Sequence, residues 1–196
     1  VAVGLVQRRG EAVVSTGVDE LRALFHASPT RALPLPGLIS AEVSARLRER
    51  VRPLLRPYFI PDCGRYQHDD TFADPELFAG LAALASDIVE VHAVPRRARW
   101  TRMARGNYAL YKNDHRLWRD LDRHLEVVLD FSADTCHDAG QVVWTIPGDI
   151  FWMPQQPLCG AVVDRRQQIQ RYDRYLSQRI GETEVFRLSL ALEVEG

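Results

Sequence analysis

Five short apolar runs fill the second half of the chain, and Gly, Pro, Asp or Ser separates each run from the next. They are LEVVLDF (125–131), QVVWT (141–145), DIFWM (149–153), GAVVD (160–164) and VFRLSLALEV (185–194). Runs of this length, rich in β-branched and aromatic residues and bounded by turn formers, predict β-strands. A succession of short strands is typical of an antiparallel sandwich or jelly roll.

The first half of the chain carries helix signals instead. Ser40 is a good N-cap for a helix over 41–55, and the sequence Asp-Pro-Glu at 74–76 starts a second helix with a capping carboxylate and a proline in the first turn. The polar segment 61–70 between them is expected to be a loop. A third helix is predicted over 165–180, where apolar residues recur at helical spacing and a glycine follows.

These elements predict one α+β domain over 1–196. Residues 1–98 are expected to form a mainly helical support region. Residues 99–196 are expected to form the β core, with the helix over 165–180 inserted in it.

The composition excludes some classes of function. The chain has 46% hydrophobic and 26% charged residues and a net charge of -1, which is ordinary for a globular domain. So balanced a charge argues against electrostatic binding of nucleic acid or of an anionic membrane, and no apolar run is long enough to span a bilayer. The three cysteines are an odd number in a chain too large to need stapling, so a reducing cytoplasm is expected.

The order of four segments resembles one enzyme family. Two segments resemble the start of the fold and the first iron motif: LPLPGLISAEVSARL (33–47) is similar to a strand and first support helix, and GNYALYKND (106–114) is similar to a strand that ends in a His-x-Asp iron motif. Two later segments resemble its end: PGDIFWMPQQPLCGAVV (147–163) is similar to the segment that leads to a second iron histidine, and FRLSL (186–190) is similar to a last strand. The chain therefore resembles the 2-oxoglutarate/Fe(II)-dependent oxygenases of the prolyl-hydroxylase-like kind. The resemblance implies a double-stranded β-helix (jelly roll or cupin-like) with N-terminal support helices.

The iron-binding triad of that family is the point where the sequence departs from it. The family's iron is held by two histidines and one carboxylate. The resemblance puts Lys112 at the first histidine position, Asp114 at the carboxylate and Cys159 at the second histidine, and no histidine follows His137. The sequence therefore predicts a degenerate metal site. If a metal is bound, Asp114 and His115 are the candidate ligands.

Lys112 is the only lysine in a chain that otherwise uses arginine, which favours a special role for it. We expect its ammonium group to lie beside Asp114 and to replace the metal electrostatically or to act in acid–base chemistry. Cys159 is a candidate nucleophile if a nearby cation favours its thiolate. The structural alternatives are a helix-capping role for Asp114, a solvated Lys112 and a core-packed Cys159.

Arg187 and Ser189 lie on an apolar strand, where an arginine is out of place. In the family, an Arg-x-Ser pair grips the distal carboxylate of 2-oxoglutarate, so this pair is predicted to bind a carboxylate of substrate or cosubstrate. The alternative is an internal ion pair of Arg187 with Glu126 or Asp164.

The remaining candidates are aromatic walls and a second metal motif. Tyr108 and Trp152 are predicted to be walls of the same pocket or, alternatively, core residues. His68 and Asp70 form a second His-x-Asp sequence, which would be a metal site only with a further histidine.

Three functions remain open at this stage. The first is a small-molecule tailoring enzyme that acts on a carboxylate-bearing substrate without the usual iron site. The second is a hydroxylase that uses Fe(II) and 2-oxoglutarate with unusual ligands, and the third is a non-catalytic small-molecule-binding protein. The cofactor is accordingly either none or Fe(II) with 2-oxoglutarate. No nucleic acid or membrane partner is expected, and a homodimer formed by the helix over 165–180 is an open alternative.

Overall fold

The computed structural model describes residues 17–121, 124–133, 140–146, 148–154, 158–165, 169–177 and 183–195. Its α-helices are α1 (Val18–Ala27), α2 (Ala41–Val51), α3 (Pro75–Val89) and α4 (Tyr111–Trp118), and a 3-10 turn (Arg52–Leu54) extends α2. Its strands are β1 (Ala32–Leu35), β2 (Arg56–Ile60), β3 (Gly64–Asp69), β4 (His92–Met103), β5 (Tyr108–Ala109), β6 (His124–Asp130), β7 (Val142–Ile146), β8 (Asp149–Trp152), β9 (Gly160–Asp164), β10 (Gln170–Asp173) and β11 (Val185–Glu195).

The two predicted N-terminal helices form where their caps indicate. The Ser40 hydroxyl accepts the backbone N–H of Val43 at 3.2 Å, and the Asp74 carboxylate accepts that of Leu77 at 3.2 Å. Each bond satisfies a backbone donor that the first helical turn leaves without a partner. Both helix starts are therefore confirmed, and α2 with its 3-10 turn covers the predicted range almost to its end.

All the paired strands run antiparallel in one sheet with the order β1-β9-β6-β11-β4-β3-β5-β10-β7-β8, and β2 pairs with β3. The two ends of this sheet face each other. Ala32 of β1 and Val163 of β9, at one end, share an apolar cluster with Val142 and Trp144 of β7, at the other. The sheet is therefore a nearly closed barrel, which confirms the predicted α+β double-stranded β-helix.

The helices α1, α2 and α3 cover one outer face of this barrel. A large apolar cluster joins Leu47 of α2 and Ile88 of α3 to Leu125 of β6 and Leu190 of β11, and none of these four side chains is more than 2% exposed. This packing fixes the long strands and leaves the barrel interior for the polar groups described below. No helix in the described part of the chain is long and apolar enough to cross a membrane.

Three predictions of local structure are wrong. The segment expected to be a loop over 61–70 contains β3, and Lys112 and Asp114 lie in α4 rather than at a strand end. The helix predicted over 165–180 is wrong, because β10 lies within that range. Residues 166–168 and 178–180 of the same range lie outside the described part.

The error over β10 has a physical reason. Arg171 and Asp173 alternate toward the barrel interior and are buried. Because the inward residues of this strand are charged, it lacks the apolar alternation by which a strand is recognised.

Strands also occupy more of the N-terminal half than expected. β1, β2 and β3 and the start of β4 all fall within residues 1–98, beside the three helices of that region. Helices and strands are thus both present in this region in the part that the structure describes.

Candidate functional site

A cavity lies between α4 and the strands β3, β4, β5, β10 and β11. Met103, Ala109, Leu110 and Leu117 form the apolar part of its wall. The polar groups on the wall include those of Tyr66, Arg99, Asn113, Asp114, Arg171 and Ser189. A concave site with an apolar wall and a few convergent polar groups is typical of small-molecule binding.

Asp114 and Glu126 share one arginine at the cavity. The guanidinium of Arg165 donates to Oδ1 of Asp114 at 3.2 Å and to Oδ2 at 2.5 Å, and it donates to Oε2 of Glu126 at 2.8 Å. Asp114 is 6% exposed, and Glu126 is fully buried in the middle of β6. Arg165 thus holds two carboxyl groups together in a dry environment, where charge-assisted hydrogen bonds are strong.

Arg171 is the second cation of this site. It projects inward from β10, donates to Oε1 of Glu126 and donates to the hydroxyl oxygen of Ser189 at 2.8 Å. Its guanidinium carbon also lies 5.6 Å from the centroid of the Trp144 ring, whose Nε1 donates to Glu126 at 2.9 Å. Glu126 is therefore enclosed by three donors.

Arg187 is the third cation and continues the network away from the cavity. Its guanidinium contacts Asp130 at 3.4 Å and Asp173 at 3.4 Å, and it donates to the backbone carbonyl of Gly140. The inward position predicted for Arg187 is observed, since the residue is 4% exposed. Its carboxylate partners, however, belong to the chain itself and differ from the Glu126 and Asp164 considered from sequence.

The network contains three guanidinium groups and four carboxyl groups among the described residues, which are Arg165, Arg171, Arg187, Asp114, Glu126, Asp130 and Asp173. Burial would raise the pKa of Glu126, but the charges of Arg171 and Arg165 lower it to about 2. Burial raises the pKa of Asp114, and the nearby charge of Glu126 adds to this effect. Asp114 is thus the carboxyl group of this pair that holds a proton more readily.

A second chain of polar contacts also reaches the cavity wall. The Tyr66 hydroxyl donates to Oδ1 of Asn113 at 2.8 Å and accepts from Arg99 at 3.1 Å. Arg99 in turn donates to both carboxylate oxygens of Asp70, at 2.6 and 2.5 Å. Burial raises the pKa of Tyr66 to about 12, so its hydroxyl stays protonated and donates at neutral pH.

The structure brings only some of the predicted site residues to the cavity. Asp114 and Ser189 line it, whereas Lys112 is exposed on α4 and the cation bound to Asp114 is Arg165. Cys159 is 2% exposed in an apolar cluster, and burial raises the pKa of its thiol, which disfavours the thiolate.

The two predicted aromatic walls lie elsewhere. Trp152 is 43% exposed, with the guanidinium carbon of Arg174 5.6 Å from its ring centroid. Tyr108 is half-buried, pairs with Arg65 across β5 and β3, and is not part of the cavity wall. Neither is placed to contact a ligand in this cavity.

The described residues do not fit an iron site of two histidines and one carboxylate. Among them, no three His, Cys, Asp or Glu side chains are grouped as metal ligands. Both oxygens of Asp114 accept from Arg165, and both oxygens of Asp70, in the alternative His-x-Asp sequence, accept from Arg99. The side chain of His115 and the whole of His137 lie outside the described residues.

The sequence analysis considered Glu126, the centre of the network, only as a partner of Arg187, whereas the structure pairs it with Arg165 and Arg171. Glu126 lies in the apolar run LEVVLDF, and a charged residue inside an apolar strand is the same signal that pointed to Arg187. Arg165 and Arg171 carried no such signal, because the segment that contains them has the spacing of an amphipathic helix. Tyr66 and Asn113 were missed because nothing in the sequence indicates that β3 and α4 meet at one cavity.

No protein-family model matches the sequence, and no curated protein sequence matches it either. Solved structures do match. A 2OG-Fe(II) oxygenase family oxidoreductase from Burkholderia pseudomallei superposes with a TM-score of 0.67 at 15% identity, covering 95% of this chain and 94% of that one.

Two further solved structures match to a similar degree. A prolyl-4-hydroxylase from Pseudomonas putida gives a TM-score of 0.68 at 14% identity, covering 92% of this chain and 100% of that one. The non-heme alpha ketoglutarate dependent epimerase SnoN from nogalamycin biosynthesis gives 0.65 at 10% identity, covering 90% and 82%. These likenesses show that the chain has the fold of these proteins over nearly its whole length.

Proposed function

We propose that this chain, which has the double-stranded β-helix of the 2-oxoglutarate/Fe(II) oxygenases, is a small-molecule tailoring enzyme that acts without the usual iron site. In this proposal the guanidinium of Arg165 supplies the positive charge beside Asp114. The neighbours in this fold support the class of function, since one is a prolyl-4-hydroxylase and another is an epimerase of nogalamycin biosynthesis. Fold alone does not fix activity, so the argument depends on the site.

One observation carries the proposal: Asp114 is part of the cavity wall and is also an ion-pair partner of Arg165. A buried carboxylate needs a compensating charge, because desolvation of an unpaired ion is very costly. Arg165 provides that charge. Its partner Asp114 is the residue that the family resemblance aligns with the iron-binding carboxylate. A guanidinium has only N–H donors and cannot itself bind a metal ion.

The chemistry that this arrangement supports is acid–base and electrostatic. Asp114 lies on the cavity wall, and its raised pKa makes it the carboxyl group of the network that would exchange a proton with a ligand there. Arg165 pairs with the ionised form of Asp114 and thereby stabilises it. Arg171 lies on the cavity wall, where its charge would stabilise negative charge that develops on the substrate. Ser189 keeps Arg171 oriented through the hydrogen bond at 2.8 Å.

The role predicted for Lys112 from the sequence, a cation that replaces the metal beside Asp114 or acts in acid–base chemistry, remains a hypothesis. Its ammonium is exposed, so it would reach a ligand only at the outer side of α4. Arg165 has the contacts with Asp114 that the hypothesis required of Lys112.

A test is the iron content and cosubstrate turnover of protein purified without chelator. Fe(II), 2-oxoglutarate and oxygen are then added, succinate formation is measured, and the Pseudomonas putida prolyl-4-hydroxylase is assayed in parallel. We expect far less than one iron per chain and no succinate above that of a protein-free control. Stoichiometric iron with succinate formation would establish the alternative, a hydroxylase with unusual ligands.

A non-catalytic binding protein is the second candidate function. It is favoured by the contacts of Arg187, which already binds two carboxyl groups of the chain and therefore has less need of a ligand. The two candidates differ in their expectation for Asp114→Asn. This substitution abolishes turnover in an enzyme, whereas in a binding protein it leaves ligand affinity largely unchanged.

A further inference from the structure

Asn113 has a polar group that faces the cavity without a partner in the described part of the chain. The residue is 5% exposed, lies in the first turn of α4 and forms part of the cavity wall. Its Oδ1 accepts from Tyr66, and no acceptor for its Nδ2 group is found among the described residues. The Nδ2 group is not among the buried side-chain atoms that lack a partner, so it is accessible rather than sealed. In a residue as buried as Asn113, the cavity is the side from which a ligand reaches this group.

The contacts of Tyr66 determine which end of the Asn113 amide faces it. The Tyr66 oxygen accepts a hydrogen bond from Arg99, and a guanidinium only donates. The hydroxyl proton of Tyr66 must therefore go to another acceptor, which is Oδ1 of Asn113. With its oxygen bound in this way, the amide turns its two N–H donors away from Tyr66.

The carboxyl groups of Asp114 and Asp173 also line the cavity, but both are already paired with arginines of the chain. The donors that remain favour a ligand that accepts hydrogen bonds. Arg171 lines the same cavity, and its only groups able to meet a ligand are N–H donors. Tyr66 cannot offer its proton, because that proton is engaged with Asn113. A carbonyl or carboxylate oxygen satisfies the donors, whereas an ammonium group does not.

We propose that the Nδ2 group of Asn113 is a substrate-recognition donor for a carbonyl or carboxylate oxygen, with Tyr66 as the residue that positions it. This inference rests on the proposed function, because it assigns the group by which the same cavity recognises its substrate. The substrate class is a small molecule whose acceptor oxygen enters the cavity beside Asp114.

The chain offers an unusually clean spectroscopic test, since Asn107 and Asn113 are its only asparagines. Labelling with ¹⁵N-asparagine gives two pairs of side-chain amide signals, and Asn113→Asp assigns them by deleting one pair. Asn107 is the internal control, because its Oδ1 accepts from the backbone of Ala104 in a turn, at 2.9 Å. The probes are acetamide and potassium acetate, with methylammonium chloride as a probe of the same size that only donates.

We expect both acceptor probes to shift the Asn113 signals in a saturable way and to leave the Asn107 signals in place. Dissociation constants on the order of millimolar are expected, because such small fragments make few contacts. Methylammonium should produce no saturable shift. The Tyr66→Phe variant should weaken acetamide binding by about fivefold, since one hydrogen bond that orients the amide is lost.

The inference is overturned if neither acceptor probe shifts the Asn113 signals, or if methylammonium shifts them equally. The titration is carried out on chelator-treated protein and repeated after adding Fe(II). A shift that requires Fe(II) would contradict the metal-free proposal and leave the role of Asn113 intact. A shift in native protein that persists with the same affinity in Tyr66→Phe would remove Tyr66 from the positioning role.

Discussion

At the scale of single residues, the main feature of the site is the pairing of each buried carboxyl group with an arginine. The family resemblance pointed to Asp114, which lies on the cavity wall, and an arginine inside an apolar strand pointed to Arg187, which is buried. Sequence inspection chose Lys112 as the partner of Asp114 from its position in the chain, whereas the structure places Arg165 there, 51 residues further on. Such a long-range partner is not visible in a local pattern.

The partner of Asp114 can be identified by comparing Arg165→Ala with Lys112→Ala. Arg165 is 7% exposed in its side chain and bridges two buried carboxyl groups, so its removal should lower the free energy of unfolding by about 3–5 kcal/mol. Lys112 is exposed, and its removal should change that free energy by no more than about 0.5 kcal/mol. Urea unfolding at neutral pH measures both. A Lys112→Ala variant as unstable as Arg165→Ala would restore the lysine as the buried cation.

Glu126 should make the stability of the protein depend on acid pH. Its pKa is about 2 when folded and near 4.5 when unfolded. A carboxyl group with a lowered folded pKa stabilises the fold above its unfolded pKa, and this stabilisation is lost as the pH falls from about 4.5 toward 2. The shift corresponds to about 3 kcal/mol.

The Glu126→Gln variant tests this dependence. We expect it to be less stable than the native protein at pH 7, because Arg165 and Arg171 lose a carboxylate partner, and to lose less stability between pH 5 and pH 2. The control is Glu193→Gln, whose carboxylate is 51% exposed and pairs with Arg96 at the surface. Equal pH dependence of the native protein and Glu126→Gln, measured by urea unfolding, would show that Glu126 is not held ionised.

At the scale of elements, the sequence predicts those that carry a clear helix cap or a run of apolar residues. The capped helices α2 and α3 and the strands β6, β7, β8, β9 and β11 appear close to the expected ranges. Strand β10 was interpreted as part of a helix because its buried side chains are Arg171 and Asp173. Strand β3 was interpreted as a loop because its sequence, GRYQHD, is polar. Both strands contribute to the cavity, so the same polar residues that form the site obscured its strands.

At the scale of the whole molecule, the fold was accessible from the order of several landmarks, and the site was not. The sheet curls until its two ends share one apolar cluster, and this closure brings β10, β6 and β11 around the Arg–carboxyl network. Partners on these strands are 18 to 45 residues apart in the chain. Their pairing follows from the barrel as a whole, since each segment by itself gives no indication of it.

The central claim is that arginine side chains supply the charge beside Asp114. The most direct measurement is anomalous diffraction at the iron edge from crystals soaked anaerobically in Fe(II). The account predicts no anomalous peak within bonding distance of Asp114. It also predicts density for the Arg165 guanidinium in contact with both carboxylate oxygens of Asp114. An iron peak bonded to Asp114, with Arg165 displaced from it, would contradict the account.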